Sequence, residues 1–336
     1  MSEHKWFFNV SEIELGGSSV LGENYMAFYT IHILAMSLIV TSLTSCTVVI
    51  VSILCGVWHQ NEGGKRSRMD FADRFPFYLA VADALWSISH LIDHFYLVTT
   101  HRYPSSQIVS ILLSINIWTF LGQLMHAGLA IYTYIRVVRG VDINLGKAEW
   151  KLHVVCGTLI AASIAVFYPL SAFGPSGYWM LQDVRTGGGI ALGFYVTSSS
   201  SAQALCTTLG YRQIKRVVEQ QRLVMRKKVP HKNVRSTPDR HSTASECLTT
   251  FMIIALTLYC PLAIVYCFLV VESIFGVIDP VTVTLIVIVA NSGGWANALG
   301  YFHNLKIKAA RERHVKADHL LSMVTASTSG CSSAAP

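Results

Sequence analysis

The densest run of chemically able residues lies at positions 83 to 94, Asp83-Ala-Leu-Trp-Ser-Ile-Ser-His90-Leu-Ile-Asp93-His94. On a helix, positions 83, 87, 90 and 94 share one face. His90 and His94, four residues apart, have the spacing that lets two imidazoles grip one metal ion, with Asp93 adjacent. A catalytic zinc needs a third protein ligand, for which the sequence offers His32 or, more remotely, Asp279. A seven-span metal-dependent membrane hydrolase is therefore one alternative for this chain. The other use of His90, Asp93 and His94 is to line a ligand pocket open to the outside.

Other chemistries lack their parts. No lysine occurs between residues 280 and 302, so no Schiff-base anchor for a retinal exists there. No Gly-rich phosphate loop followed by Lys-Ser or Lys-Thr is present, and the glycines 187 to 189 read as a turn at a membrane edge. No Ser, His and Asp fall at depths where they could act together. The expectation is a protein that is not an enzyme and uses neither cofactor nor resident metal, with no catalytic residues to name.

The elements that must position these groups follow from composition. Of 336 residues, 52% are hydrophobic and 13% charged, with a mean hydropathy of +0.45. Soluble domains carry about 25% charged residues, so an ordinary water-soluble enzyme is excluded. A spanning helix needs about 20 apolar residues, and seven segments qualify: 26 to 58, 75 to 98, 107 to 136, 152 to 173, 188 to 211, 247 to 270 and 280 to 302. The fold class is thus all-α, an integral membrane seven-transmembrane helix bundle over residues 26–302. Residues 1–25 form an extracellular N-terminus and 303–336 a cytosolic tail, a short basic helix followed by a disordered Ser-rich end. A cytosolic loop at about 212–246 is partly disordered.

Charge placement fixes the orientation. The chain has 26 Lys and Arg against 19 Asp and Glu, a formal +7. Three of those 26 basic residues fall on one side of the spans and 23 on the other. By the positive-inside rule the N-terminus lies outside and the C-terminus in the cytosol. The net charge is a map of orientation and lipid contact, with no nucleic-acid footprint. The N-terminus is too polar and acidic for a cleaved signal peptide, and its Asn9-Val-Ser sequon lies on the side where glycosylation occurs. All eight cysteines lie in spans or the cytosolic tail, so no extracellular disulfide is expected.

Polar residues inside a membrane are costly and mark function by default. Asp83 and Asn291 both fall near mid-depth, and Asn291, Ser292 and Asn297 offer amides and a hydroxyl to the carboxylate. Pro261, mid-way along the sixth span, removes a backbone hydrogen bond and should kink that helix. Asn116 and Trp118 lie in the outer to middle third span, with Gln123 and His126 deeper. Arg136 and Arg139 sit at its cytosolic exit.

The phrases LAVADALWSISHLI in the second span, Phe173-Gly-Pro-Ser-Gly-Tyr-Trp179 in the second outer loop and Asn291-Ser-Gly-Gly-Trp-Ala-Asn297-Ala-Leu-Gly-Tyr-Phe302 in the seventh resemble G-protein-coupled receptors. Within them the chain resembles the cyclic-AMP-receptor-like group of slime moulds and fungi, which includes fungal nutrient-sensing receptors. The resemblance covers roughly residues 26 to 305. That group's outer loop typically reads Gly-x-x-Gly-x-Trp-Cys-Trp. Here Met180 stands in the cysteine's place, and its partner cysteine near the outer end of the third span is absent too.

The resemblance implies a multi-pass plasma-membrane receptor. It would bind an extracellular small molecule or peptide and signal to a heterotrimeric G protein. Ligand contacts would come from His90, Asp93, His94, Asn116, Trp118, Trp179, Tyr195 and Tyr266. The switch would use Asp83, Asn291, Asn297 and Pro261. Arg136, Arg139, Arg212 and Lys215 would face the G protein. A channel or transporter is a further alternative, although no internal repeat supports the plan many transporters use.

Overall fold

The structure, a computed structural model, describes residues 8–9, 25–62, 71–102, 119–141, 143–174, 186–228 and 240–329. Eight helices carry almost all of them: α1 (Tyr25–Glu62), α2 (Phe71–Thr100), α3 (Thr119–Val138), α4 (Trp150–Phe167), α5 (Gly187–Lys228), α6 (Arg240–Ile274), α7 (Pro280–Ala290) and α8 (Gly293–Ser329). A two-residue strand β1 (Phe8–Asn9) pairs antiparallel with β2 (Val277–Ile278). Asn9 and the α6–α7 connection therefore lie at the same end of the bundle. Asn116, Trp118, Trp179 and Met180 fall outside the described residues.

Among the described residues, five stretches are long and apolar enough to cross a membrane: Tyr25–Trp58, Arg74–Thr100, Lys147–Phe167, Thr249–Ile274 and Pro280–Ala310. Helices α3 and α5 are less apolar because Gln123 and His126 interrupt one and the Thr197–Gln203 polar run the other. Large apolar side chains point outward on every spanning stretch; Phe268, for example, is 60% exposed. A water-soluble protein rarely leaves so much contiguous apolar surface uncovered, whereas lipid covers it in a membrane protein.

The packing puts α3 at the centre, in contact with α2, α4, α5 and α6. Around it, α1 packs on α2, α7 and α8, and α6 packs on α5, α7 and α8. One apolar cluster, with Phe28, Ile31, Leu97, Leu269 and Ile286, joins α1, α2, α6 and α7. Another, with Val49, Phe75, Met125, Phe251 and Tyr301, joins α1, α2, α3, α6 and α8.

Three element boundaries depart from the sequence expectation. The fourth helix stops at Phe167 rather than 173, because Pro169 has no N–H to continue it; residues 168 to 171 form turns, and Ser171 has a φ of 52°. Glycines 187 to 189 are the first turn of α5, not a loop: the Thr186 hydroxyl accepts from the Gly189 N–H at 2.9 Å and donates to the Ser171 carbonyl at 2.8 Å. Gly188 is required there, since a Cβ would strike the Leu170 carbonyl oxygen. The last apolar stretch, Pro280–Ala310, expected as one seventh span, is two helices. Asn291, with φ −93° and ψ 2°, leaves the helix, and Ser292 turns the chain into α8, which then runs without interruption to Ser329.

Candidate functional site

Helix α2 sets Trp86, His90 and His94 four residues apart on one face, where successive side chains lie above one another. Their rings form a column, with centroids 4.4 Å apart for Trp86 and His90 and 4.6 Å apart for His90 and His94. The column crosses to α1: His94 and His32 lie 4.8 Å apart, and His32 and Phe28 4.3 Å. The crossing is fixed by a hydrogen bond of 2.6 Å between His32 Nδ1 and His94 Nδ1. Both residues are fully buried, and His90 is 4% exposed. Further along α1, the Tyr29 hydroxyl meets His101 Nε2 at 2.9 Å.

Two imidazoles joined nitrogen to nitrogen must differ in tautomer when both are neutral. One donates its Nδ1–H and carries a bare Nε2; the other accepts at Nδ1 and carries an Nε2–H. Among the described residues, neither Nε2 has a hydrogen-bond partner, nor has the indole nitrogen of Trp86. A tetrahedral zinc would hold two imidazole nitrogens roughly 3.3 Å apart, so the 2.6 Å separation is that of a shared proton. Among the described residues no three His, Cys, Asp or Glu side chains are placed to hold a metal ion.

The divided stretch of α7 and α8 is tied to α2 twice. Just past the end of α7, Asn291 Oδ1 accepts from His90 Nδ1 at 3.0 Å while its own Nδ2 donates to the Val287 carbonyl at 2.9 Å. This amide's orientation fixes His90 as the Nδ1–H tautomer. In α8, Asn297 Nδ2 donates to Asp83 Oδ2 at 2.7 Å. The break itself is held by α1, whose Ser42 hydroxyl donates to the Asn291 carbonyl at 2.5 Å. Ser292 points back along its own chain, donating to the Ile288 carbonyl at 2.6 Å. Thus the three polar groups expected around Asp83 part company: Asn297 alone reaches it, Asn291 serves His90, and Ser292 closes the turn.

Glycines make this approach possible. A Cβ on Gly294 would sit 2.8 Å from Cys46 Sγ and 2.9 Å from both the Cβ and the carbonyl oxygen of Ser42. One on Gly293 would lie 3.3 Å from Asp83 Oδ1. Helix α8 is thus pressed on α1 and α2 by small residues, the usual way for helices in a membrane to approach closely.

The chain matches no protein-family model and no curated protein. Geometry therefore carries the assignment alone.

Pro261 lies inside α6, two residues after Tyr259, whose ring is 5.8 Å from that of His126 on α3. His126 is buried, and so is Gln123, whose Nε2 donates to the Ser200 hydroxyl of α5 at 3.1 Å. Tyr266 packs between the Phe28 cluster of α1, α2, α6 and α7 and a smaller one around Phe167 and Leu192. Tyr195 turns to α4, where its hydroxyl meets Ser163 at 3.0 Å, and lines a 270 Å³ cavity between α3, α4 and α5. His90, Asp93 and His94 are all buried, Asp93 at 1% exposure; Tyr266 packs on the Phe28 cluster beside them, whereas Tyr195 belongs to other surroundings. Arg136, Arg139, Arg212 and Lys215 are all exposed at one end of α3 and mid-α5. Arg136 lies over the Tyr132 ring and donates to its hydroxyl at 3.1 Å.

Two polar sites escaped the sequence. Arg74 of α2 grips Glu149 in a two-bond ion pair, Nε to Oε2 at 2.8 Å and the terminal nitrogen to Oε1 at 2.5 Å, with the Tyr78 hydroxyl donating at 3.2 Å. Glu149 and its neighbour Ala148 both have left-handed φ values, 53° and 55°. At the opposite end, Glu272 accepts from the Thr282 hydroxyl at 2.5 Å and from the Asp279 N–H at 3.0 Å. No spacing rule pairs residues 75 positions apart, and the Glu272 contacts, 7 and 10 positions apart, depend on the turn between α6 and α7, so neither was legible without the fold.

Proposed function

We propose that this chain is a seven-span plasma-membrane receptor, N-terminus outside, that binds an extracellular ligand and activates a heterotrimeric G protein. One observation carries the proposal. The seventh span is divided at Asn291–Ser292, and each half is tied to α2 by a single buried amide, Asn291 to His90 and Asn297 to Asp83. Two helices joined by one bond on each side of a break can exist in two arrangements, which is what a ligand's differential affinity needs to act on.

The remaining features support the same reading. Helices α3 and α5 complete seven passes beside the five apolar stretches. The pairing of Phe8–Asn9 with Val277–Ile278 puts the N-terminus at the α6–α7 end, as an outside N-terminus with six intervening passes requires. Exposed Arg136, Arg139, Arg212 and Lys215 form the surface offered to the G protein. Ligand enters on the side of His90, Asp93, His94 and Tyr266, and its binding energy is relayed through Asn291 to Asp83 and Asn297, with Pro261 weakening α6 beside them.

The test is nucleotide exchange on purified heterotrimers of each Gα class, with the protein in nanodiscs and a panel of metabolites and peptides added. Asn297→Ala removes a charge-assisted bond of about 1.5–3 kcal/mol, enough to move a two-state balance by roughly tenfold or more. Ligand-independent exchange should change accordingly. If no Gα class exchanges faster under any ligand, and Asn297→Ala is indistinguishable from wild type, the receptor assignment fails.

A further inference from the structure

We propose that the proton is itself a ligand of this protein, taken up by the His32–His94 pair and transmitted through His90 to the break in the seventh span. The inference takes its output from the receptor function above, but its input stands on the histidine geometry alone.

Four rings, Trp86, His90, His94 and His32, form a column of tilted and edge-on contacts with successive centroids under 5 Å apart, and all three histidines are buried. The neutral His32–His94 pair has one bare, unpartnered Nε2. A first proton enters there and creates an imidazolium that donates Nδ1–H to a neutral imidazole. That is a charge-assisted bond, stronger than the neutral one, so α1 and α2 are clasped more tightly. A second proton has no such place. It would put N–H groups on both Nδ1 atoms, 2.6 Å apart, or charge His90, whose ring lies 4.6 Å from His94. Either way like charges meet in a buried layer, and the cheapest relief is to part α1 from α2, with His90 keeping its bond to Asn291 Oδ1 and drawing Asn291 from its place. Because Asn291 also takes the Ser42 hydroxyl on its carbonyl and ends α7, losing its place loosens the whole joint.

Among the described residues the ionisable groups around the pair are few. Tyr29 stands beside it on α1, hydrogen-bonded to His101 at the end of α2. Helix α2 adds His90, the buried carboxyl of Asp93 and, two turns inward, Asp83. Tyr266 of α6 packs on the same cluster, and Glu272 is engaged with Thr282 and the Asp279 N–H at the α6–α7 connection. Helix α7 faces the column with the neutral Asn291. Histidine is the side chain whose charge changes between about pH 5 and pH 8. His101, at the end of α2, is partly exposed and is the histidine at which a proton arrives.

The full chain in nanodiscs, labelled with 15N-histidine, is titrated from roughly pH 8 to pH 5, following both the nitrogen spectra and the Trp86 emission, the latter isolated as the difference from Trp86→Phe. The expected result is a strongly downfield proton coupled to two histidine nitrogens, and a drop of at least twofold in Trp86 emission as His90 is charged and moves. His94→Asn keeps a hydrogen-bonding atom in the Nδ1 position but cannot titrate, and should abolish the coupled proton and flatten the emission curve. His32→Asn should do the same and serves as the second variant should His94→Asn fail to fold, judged by monodispersity. An emission curve that is flat in wild type, or unchanged in both variants, overturns the proposal. Nucleotide exchange measured across the same pH range separates the two claims. A pH-dependent column with no faster exchange by any Gα class, at any pH or under any ligand of the panel, keeps the proton site and removes the receptor; exchange that follows another ligand while the column stays flat does the reverse.

Discussion

Gly294→Ala tests the junction most directly, because its cost can be worked from positions. The added Cβ would meet Cys46 Sγ at 2.8 Å and the Ser42 Cβ and carbonyl oxygen at 2.9 Å each, whereas carbon contacts are comfortable at about 3.5–4.0 Å. The thiol can rotate, but the Ser42 carbonyl belongs to the backbone of α1 and cannot. Helices α1 and α8 must therefore separate by several tenths of an ångström. Overpacking of this kind costs about 1–3 kcal/mol. The separation also strains the 2.5 Å bond from Ser42 to the Asn291 carbonyl, worth about 0.5–1.5 kcal/mol. Alanine returns about 1 kcal/mol through its better helix propensity. The balance is a loss of about 2 kcal/mol. Gly56 and Gly157, in α1 and α4, have nothing within 4 Å of an added Cβ, so alanine there should be neutral or mildly stabilising. Reversible denaturant unfolding in detergent, following helix content, measures all three. If Gly294→Ala is as stable as Gly56→Ala, α8 does not approach α1 as described and the junction built on that approach is wrong.

Two further outcomes follow from the same contacts. Arg74→Ala should leave Glu149, 5% exposed, with the Tyr78 hydroxyl alone among the side chains of the described residues; a loss of about 1–3 kcal/mol should release the two left-handed residues Ala148 and Glu149, read as faster protease cleavage between α3 and α4 with the rest of the bundle intact. Asn291→Ala removes the acceptor for His90 Nδ1 and one donor to the Val287 carbonyl, so thermal unfolding should begin lower than in Ser42→Ala, which removes a single bond; equal midpoints would show that Asn291 does not organise the break.

Much of this molecule is written along the chain. Apolar runs of spanning length and the lopsided placement of Lys and Arg are one-dimensional signals, and the membrane character they imply agrees with five long apolar helices. The i, i+4 spacing of His90 and His94 and the mid-depth Asp83 were likewise legible, since helical geometry puts such residues on one face wherever the helix ends up. Even His32 stood out as the other histidine at that depth. The partners were not legible. Asn291 and Asn297 are six residues apart and chemically identical, and only the unwinding at Asn291–Ser292 rotates one to His90 and the other to Asp83. Ser42 and Cys46 read as ordinary apolar-span residues until Gly294 lets α8 close on them. Arg74 and Glu149 are joined by a loop whose left-handed turn no periodicity announces. Period and composition are properties of one helix in its solvent, and the sequence by itself determined those. Which polar group meets which depends on the rotation and spacing of neighbouring helices, set by glycine contacts and a helix break acting across the bundle, and only the tertiary structure decided it.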